Sequence, residues 1–224
     1  MSTTLLALGA NNSRGLNRDC HNMATVDSPR ISPSHGFMRH TRDMPSVRTP
    51  DPNPGWLPEF QLEETRARVP ILYVEAIPVQ IDDLGRVDRI GVLLRGSAST
   101  GELNHSFISG RVLHGESVRS ALMRNLEKDL GPTAFPQLSA DIVPFTVAEY
   151  FPLPGLSPLH DSRQHAVALV YIVPVAGECA PRQDALELTW MTPEDISDPR
   201  VLDDFDGGRG FLVKQALAHL GLSF

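Results

Sequence analysis

Apolar residues recur along most of the chain at the spacings typical of helices and strands. Residues Glu59 to Arg68 predict a short helix, which Pro70 ends because proline lacks a backbone N–H and restricts the residue before it. The apolar, β-branched runs Ile71 to Ile81 and Arg89 to Arg95 predict two strands. Residues 82–85 between them have the composition of a turn, so the two strands are predicted to form a hairpin.

The centre of the chain holds the longest helical pattern. Between Glu116 and Leu130 apolar residues recur on one helix face, and Gly131–Pro132 ends the pattern. Another helix is predicted over Phe211 to Leu220, and Thr192 begins a short one as an N-cap followed by proline. Further strands are predicted at residues 104–109, 142–150, 165–175 and 186–191. This order of elements predicts a mixed sheet covered by helices, which is an α/β fold.

Residues 1–58 differ from the rest of the chain. They are rich in Ser, Asn, Pro, Gly and Arg, and after Leu8 they show neither helical nor strand periodicity. We therefore predict a disordered segment over residues 1–50 and one folded domain over residues 51–224. Two alternatives stay open: the segment is an arginine-containing arm that binds a partner, or Met44 rather than the first methionine is the true start.

Composition is typical of a globular protein and narrows the range of partners. No apolar run approaches the roughly 18 residues that span a bilayer, and no export signal is apparent, so no membrane association is predicted. Cys20 and Cys179 form no CxxC pair, which argues against a disulfide framework and fits a cytoplasmic location. The net charge of −7 argues against nucleic acid, whose phosphate backbone requires a basic face. A small phosphorylated substrate, held by a few local arginines, remains compatible with it.

One stretch of the chain carries a known motif. From Gly110, five residues lead to Glu116 and seven more to Arg124, and the charged turn that follows ends at Gly131. This spacing resembles the Nudix box, G-x5-E-x7-R-E-U-x-E-E-x-G-U, where U is aliphatic. The resemblance covers about residues 70–220. It implies an α/β/α sandwich around a mixed sheet and a metal-dependent hydrolase of nucleotide diphosphates.

The metal-binding positions of the box have changed in this chain. Carboxylates at positions i, i+3 and i+4 of a helix offer oxygen ligands to hard cations such as Mg²⁺ or Mn²⁺. The matching positions hold Asn125, Lys128 and Asp129, so an ammonium stands where a ligand belongs and metal binding is expected to be weak or absent. Asn125 and Asp129 stay candidate ligands, and Glu149 is a candidate outside the box. Either Glu127 supplies a further carboxylate, or Lys128 itself contacts phosphate as a fixed cation. The alternative for Glu127 is a solvated helix face.

The unchanged residues of the box have roles that the resemblance implies. Glu116 and Arg124 are expected to form a pair that orients the loop against the helix. Gly110 is expected to let a phosphate approach the backbone, because glycine carries no side chain. Both assignments belong to the architecture of the site as much as to its chemistry.

A second group of polar residues occurs in the segment from His160 to His165. The two histidines are candidates for a general base or a metal ligand, and Arg163 between them is a candidate phosphate clamp. The alternative is a polar loop that satisfies its own backbone groups before the next strand. The sequence favours neither strongly.

Two functional hypotheses follow from these residues. The first is a divergent Nudix hydrolase that uses Mg²⁺ or Mn²⁺ to cleave a nucleoside diphosphate linked to another moiety. The second is a non-catalytic Nudix-fold module that binds a nucleotide or a partner, since one fold hosts many functions. A homodimer is compatible with either hypothesis.

Overall fold

The computed structural model of the protein describes residues 55–96, 101–182 and 185–222. The strands of this part are β1 Ile71–Ile81, β2 Val87–Gly96, β3 Leu103–Ser106, β4 Ile108–Arg111, β5 Thr146–Tyr150, β6 Ala166–Pro174 and β7 Ala185–Met191. The α-helices are α1 Glu59–Arg66, α2 Val118–Leu130, α3 Pro193–Ile196, α4 Pro199–Asp203 and α5 Gly210–His219, and a 3-10 helix spans Asp206–Gly208.

All the described strands belong to one mixed sheet. Its main order is β3-β2-β1-β6-β5, with β4 paired to β1 and β7 paired to β2. β1 and β6 are parallel, with Ile71 opposite Ala166, whereas the other pairings between described strands are antiparallel. β1 is central because its length lets it pair with β6 along one edge, and with β4 and then β2 along the other.

Helices cover both faces of this sheet. Successive side chains of a strand point to opposite faces, so β1 divides its apolar residues between two layers. Val74 and Ala76 pack on one side in a cluster with residues of α2. Ile77 and Val79 pack on the other side in a cluster with residues of α3, α4 and α5. The predicted fold class, an α/β/α sandwich around a mixed sheet, is confirmed.

The structure corrects several element boundaries. The single strand predicted over residues 104–109 is two strands, β3 and β4, which separate at the fully buried Phe107. They separate because β3 pairs with β2 and β4 pairs with β1. The strand predicted from residue 142 begins at Thr146, and α4, which Asp198 caps, was not predicted.

The predicted disordered segment over residues 1–50 lies outside the described residues. The boundary at residue 51 therefore stays a prediction. Among the described helices, none is long and apolar enough to cross a membrane.

Candidate functional site

Helix α2 carries most of the motif and has well-defined ends. At its start, the Ser117 hydroxyl accepts a hydrogen bond from the backbone N–H of Ser120, which satisfies one of the free donors of the first turn. At its end, Gly131 has a φ of 86°, a conformation that glycine adopts without strain. The helix faces the sheet with six buried residues: Ala121, Leu122, Asn125, Leu126, Asp129 and Leu130.

Glu116 and Arg124 hold the loop before α2 against the helix. The Arg124 guanidinium donates from Nε to Oε1 of Glu116 and from Nη2 to Oε2, both at 2.8 Å. Nη2 also donates to the carbonyl of Arg111 at 2.8 Å, and the Leu113 N–H donates to Glu116 at 3.0 Å. The hydrogen bonds that Glu116 accepts hold its pKa below the ordinary value of 4.5, and those from Arg124 have the largest effect. The pair therefore fixes the strand, the loop and the helix relative to one another.

Gly110 and Asn125 are in close contact where β4 passes under α2. A Cβ atom placed on Gly110 would lie 2.0 Å from Oδ1 of Asn125, far inside van der Waals contact. Asn125 is only 1% exposed, and its Nδ2 donates to the carbonyl of Ala121 at 2.8 Å. Gly110 thus permits the close approach of helix and strand. The side chain of Asn125 fills the space that a β carbon at this position would need.

Asp129 is fully buried between two cations. One is the Arg95 guanidinium of β2, whose Nη2 contacts Oδ2, and the other is the Lys128 ammonium, 3.3 Å from Oδ1. Neither carboxylate oxygen has an aligned hydrogen bond within the described part of the chain, so the contacts are ion pairs. Arg95 reaches this position because it lies two residues after Leu93, whose side chain packs on the α2 face of the sheet.

These residues do not fit a divalent metal ion. Asp129 is occupied by two cations, and a third positive charge 4 Å from either would meet a repulsion of about 4 kcal/mol per unit charge at an effective dielectric of 20. Asn125 donates from Nδ2 to the helix backbone, and its Oδ1 lies packed against Gly110. Across residues 55–96, 101–182 and 185–222, no group of three acidic, histidine or cysteine residues is placed to hold a metal ion. The predicted Mg²⁺ or Mn²⁺ site therefore has no suitable donor set here.

A groove of about 180 Å³ opens beside these residues. Its lining combines aromatic and cationic side chains with the polar positions of the box, namely Trp56, Tyr73, Gly110, Arg111, Leu113, Arg124, Asn125 and Lys128. Trp56 is 53% exposed, and the guanidinium carbons of Arg111 and Arg124 each lie 5.9 Å from its ring centroid. The groove thus presents an aromatic ring and several cations side by side.

Comparison with known proteins identifies the family. The sequence profile of a family described as a domain of unknown function, DUF4916, matches residues 52–222, which is most of the chain. The chain belongs to this family. None of the curated proteins compared with this DUF4916 chain matches it.

Solved structures relate this DUF4916 domain to Nudix proteins. A protein from Jonesia denitrificans, described as a possible asymmetric diadenosine tetraphosphate hydrolase, is 52% identical, with a TM-score of 0.67. That match covers 70% of this chain and 99% of the other. A Nudix hydrolase from Nitrosomonas europaea is 12% identical, with a TM-score of 0.50, over 67% of this chain and 90% of the other. The predicted Nudix fold is confirmed.

The remaining predicted residues of the DUF4916 domain lie outside the groove. Glu127 is exposed on α2 and is not among the residues that line the groove. His165 stacks on Phe151 with ring centroids 4.6 Å apart, and its Nε2 lies 3.8 Å from Oε1 of Glu149. Glu149 is thus beside His165 and is not among the residues that line the groove with α2. None of the four predicted residues Glu149, His160, Arg163 and His165 lines the groove beside α2.

His160 and Arg163 line a smaller polar pocket of about 40 Å³. Arg163 donates to both oxygens of Asp161 at 2.9 Å, so its guanidinium is already engaged. Burial alone would raise the pKa of Asp161, but the hydrogen bonds and charge of Arg163 outweigh burial and lower it. Arg163 thus satisfies its polar groups within its own loop.

The sequence analysis missed a buried polar network next to the groove. Glu75, 1% exposed, accepts hydrogen bonds from Tyr150 at 2.7 Å and from Arg209 at 2.6 Å. Burial raises the pKa of Tyr150 well above its ordinary value; the charge of Arg209 opposes this shift, and the charge and hydrogen bond of Glu75 add to it. Gln164 donates to the Tyr73 hydroxyl of the groove wall at 2.9 Å, and both residues line one pocket with Glu75, Tyr150 and Arg209. The signal in the sequence was Glu75, a single acid within a mostly apolar strand.

Proposed function

We propose that this protein binds a nucleotide whose phosphates are joined by a phosphoanhydride bond, in the groove between Trp56 and α2. The observation that carries this proposal is the combination of an exposed aromatic ring with an excess of positive charge in a protein of net charge −7. A nucleobase stacks on such a ring, and the phosphates of the same ligand need cations.

The charges around the groove support an anionic ligand. Arg111, Arg124, Lys128 and Arg95 lie along or beneath the groove, and they face two carboxylates, Glu116 and Asp129. Within the described part of the chain, Arg111 forms no ion pair and contacts the ring of Trp56. Two positive charges are therefore uncompensated at this place, and a diphosphate supplies the matching negative charge.

The aromatic contact can be tested by calorimetric titration of the full-length chain with diadenosine tetraphosphate, ADP, AMP and adenosine. Affinity should rise with the number of phosphates, and Trp56→Ala should weaken diadenosine tetraphosphate about tenfold, which is about 1.4 kcal/mol. Phe60→Ala is the matched control, because Phe60 is 67% exposed and lies outside the groove lining. Equal affinity for adenosine and its phosphates, or equal losses in both variants, contradicts the proposal.

The phosphate contact needs a separate pair of variants. Arg111 is a groove cation that forms no ion pair within the described part of the chain. Arg111→Met removes its charge and should weaken the binding of ADP and diadenosine tetraphosphate more than the binding of adenosine. Arg89→Met is the control, because Arg89 pairs with the neighbouring Asp88 at the surface and is absent from the groove lining. If Arg111→Met weakens all ligands equally, its cation does not face the phosphates.

Hydrolysis of the same ligand with Mg²⁺ or Mn²⁺ is the second candidate function. It is favoured by the 52% identical relative, which is described as a possible asymmetric diadenosine tetraphosphate hydrolase. The residues that would hold a metal ion are Asp129 and Asn125, and their present contacts weigh against it. Release of mononucleotides from diadenosine tetraphosphate, measured with and without Mg²⁺, separates the two candidates. Binding without any product supports the binding module.

A further inference from the structure

The cluster of Arg95, Lys128 and Asp129 places two protein cations at the position where the box would hold a metal ion. We propose that these two side chains permanently replace the divalent ion, so that the groove takes ligand phosphates without any metal. This inference deepens the proposed function and rests on it for the identity of the ligand. The replacement itself concerns only residues of this chain.

Burial makes the two cations indispensable to Asp129. Its side chain is 0% exposed, and the Arg95 side chain is only 14% exposed, so water compensates neither charge. A buried carboxylate without a partner is strongly unfavourable, and in a metal site the ion is that partner. Here Arg95 contacts one oxygen and Lys128 lies 3.3 Å from the other, so the carboxylate is compensated with no ion present.

The fold holds Arg95 in place from a different element. Its strand, β2, pairs with β1, β3 and β7, and Arg95 itself lies opposite Asn104 and Ala185. The sheet therefore fixes the backbone of Arg95, and its guanidinium cannot leave Asp129 without depriving a buried carboxylate of this partner. A metal ion would have to displace it, or bind next to two positive charges.

Lys128 connects this cluster to the groove. Its side chain is 25% exposed and lines the groove wall, whereas Arg95 and Asp129 do not line it. The cluster carries two positive charges and one negative charge, and its exposed member is a cation. A phosphate in the groove thus meets a lysine ammonium as a point charge, where the standard box would present a metal ion.

The test titrates the full-length protein with Mn²⁺ alone, so that it does not depend on any nucleotide. The parent should show no saturable binding by calorimetry. The triple variant Arg95→Met, Asn125→Glu, Lys128→Glu removes both cations and adds two carboxylates beside Asp129, and it should bind Mn²⁺ in a saturable manner. The double variant Asn125→Glu, Lys128→Glu keeps Arg95 and should bind Mn²⁺ at least tenfold more weakly than the triple variant.

Several outcomes overturn the inference. If the parent binds Mn²⁺ and an Asp129→Asn variant that a thermal melt shows to be folded does not, the carboxylate is a metal ligand and the cations do not replace the ion. A folded triple variant that gains no affinity, or a double variant that equals it, shows that Arg95 does not occupy a metal position. If a thermal melt shows that the triple variant is unfolded, the inference is tested by the Mn²⁺ titrations of the parent and of Asp129→Asn alone. Failure of the proposed function appears separately, as absence of nucleotide binding in the parent.

Discussion

At the scale of single residues, the motif keeps its geometry while its charges differ from those of the standard box. Gly110, Glu116 and Arg124 occupy matching positions, and their contacts fix the loop and the approach of strand to helix. The positions that would hold a metal ion instead form contacts within the protein: Asn125 with the helix backbone and Asp129 with cations. The motif thus predicts the backbone geometry of this region, whereas it does not predict the contacts of the side chains at the metal-binding positions.

Gly110→Ala should destabilise the protein by about 1–3 kcal/mol. The added Cβ would lie 2.0 Å from Oδ1 of Asn125, and this amide is buried and bonded to Ala121, so it cannot move without losing a hydrogen bond. Gly96→Ala is the matched control, since a Cβ there meets no described atom within 4 Å. Urea denaturation should show a loss for the first variant only, and similar values for both would disprove the close contact.

Replacing Glu116 should change the dependence of stability on pH. Its pKa is held below 4.5 by Arg124, so the folded state favours the carboxylate; the resulting stabilisation is complete above pH 4.5 and is lost as pH falls through the lowered pKa. Glu116→Gln should therefore be less stable than the parent at pH 7, with a difference that shrinks at pH 3. A difference that stays constant between these pH values contradicts the ion pair.

At the scale of elements, the site depends on how β2 and α2 meet. Periodicity predicted β1 and α2 closely, because both bury a regular face against a core. It could not predict the division into β3 and β4, because that depends on which strand each half pairs with. For the same reason Arg95 was missed: its contact with Asp129 joins elements that are distant in sequence.

Asp129→Asn should destabilise the protein by about 3–5 kcal/mol, because it leaves Arg95 and Lys128 without the buried carboxylate that compensates them. Asp88→Asn is the control in the same sheet, where the ion pair with Arg89 is exposed and is worth at most about 1 kcal/mol. Both free energies of unfolding are measured by urea denaturation at pH 7. Equal losses would show that the Asp129 cluster is not a buried ionic unit.

At the scale of the whole molecule, an acidic protein concentrates positive charge at one groove. The net charge of −7 argues against a broad basic surface, but it does not reveal the local excess of cations beside α2. The fold class and its Nudix type could be predicted because they depend on periodicity and one spaced motif. The polar network around Glu75 could not, because its two partners, Tyr150 and Arg209, are distant from it in sequence.

The boundary of the folded domain is a further prediction at this scale. A chain that begins at Met44 should melt within error of the full-length protein, because residues 1–50 lack apolar periodicity. Thermal melts of both chains provide the check, and a loss of several degrees in the shorter one would show that the segment packs on the domain.

The central claim is that the groove binds nucleotide phosphates with the cations of the protein itself. The most direct measurement is calorimetric titration of the full-length chain with diadenosine tetraphosphate, first in a chelator and then with Mg²⁺. The account predicts saturable binding in the chelator, and no gain in affinity when Mg²⁺ is added. Binding that appears only with Mg²⁺ would contradict it.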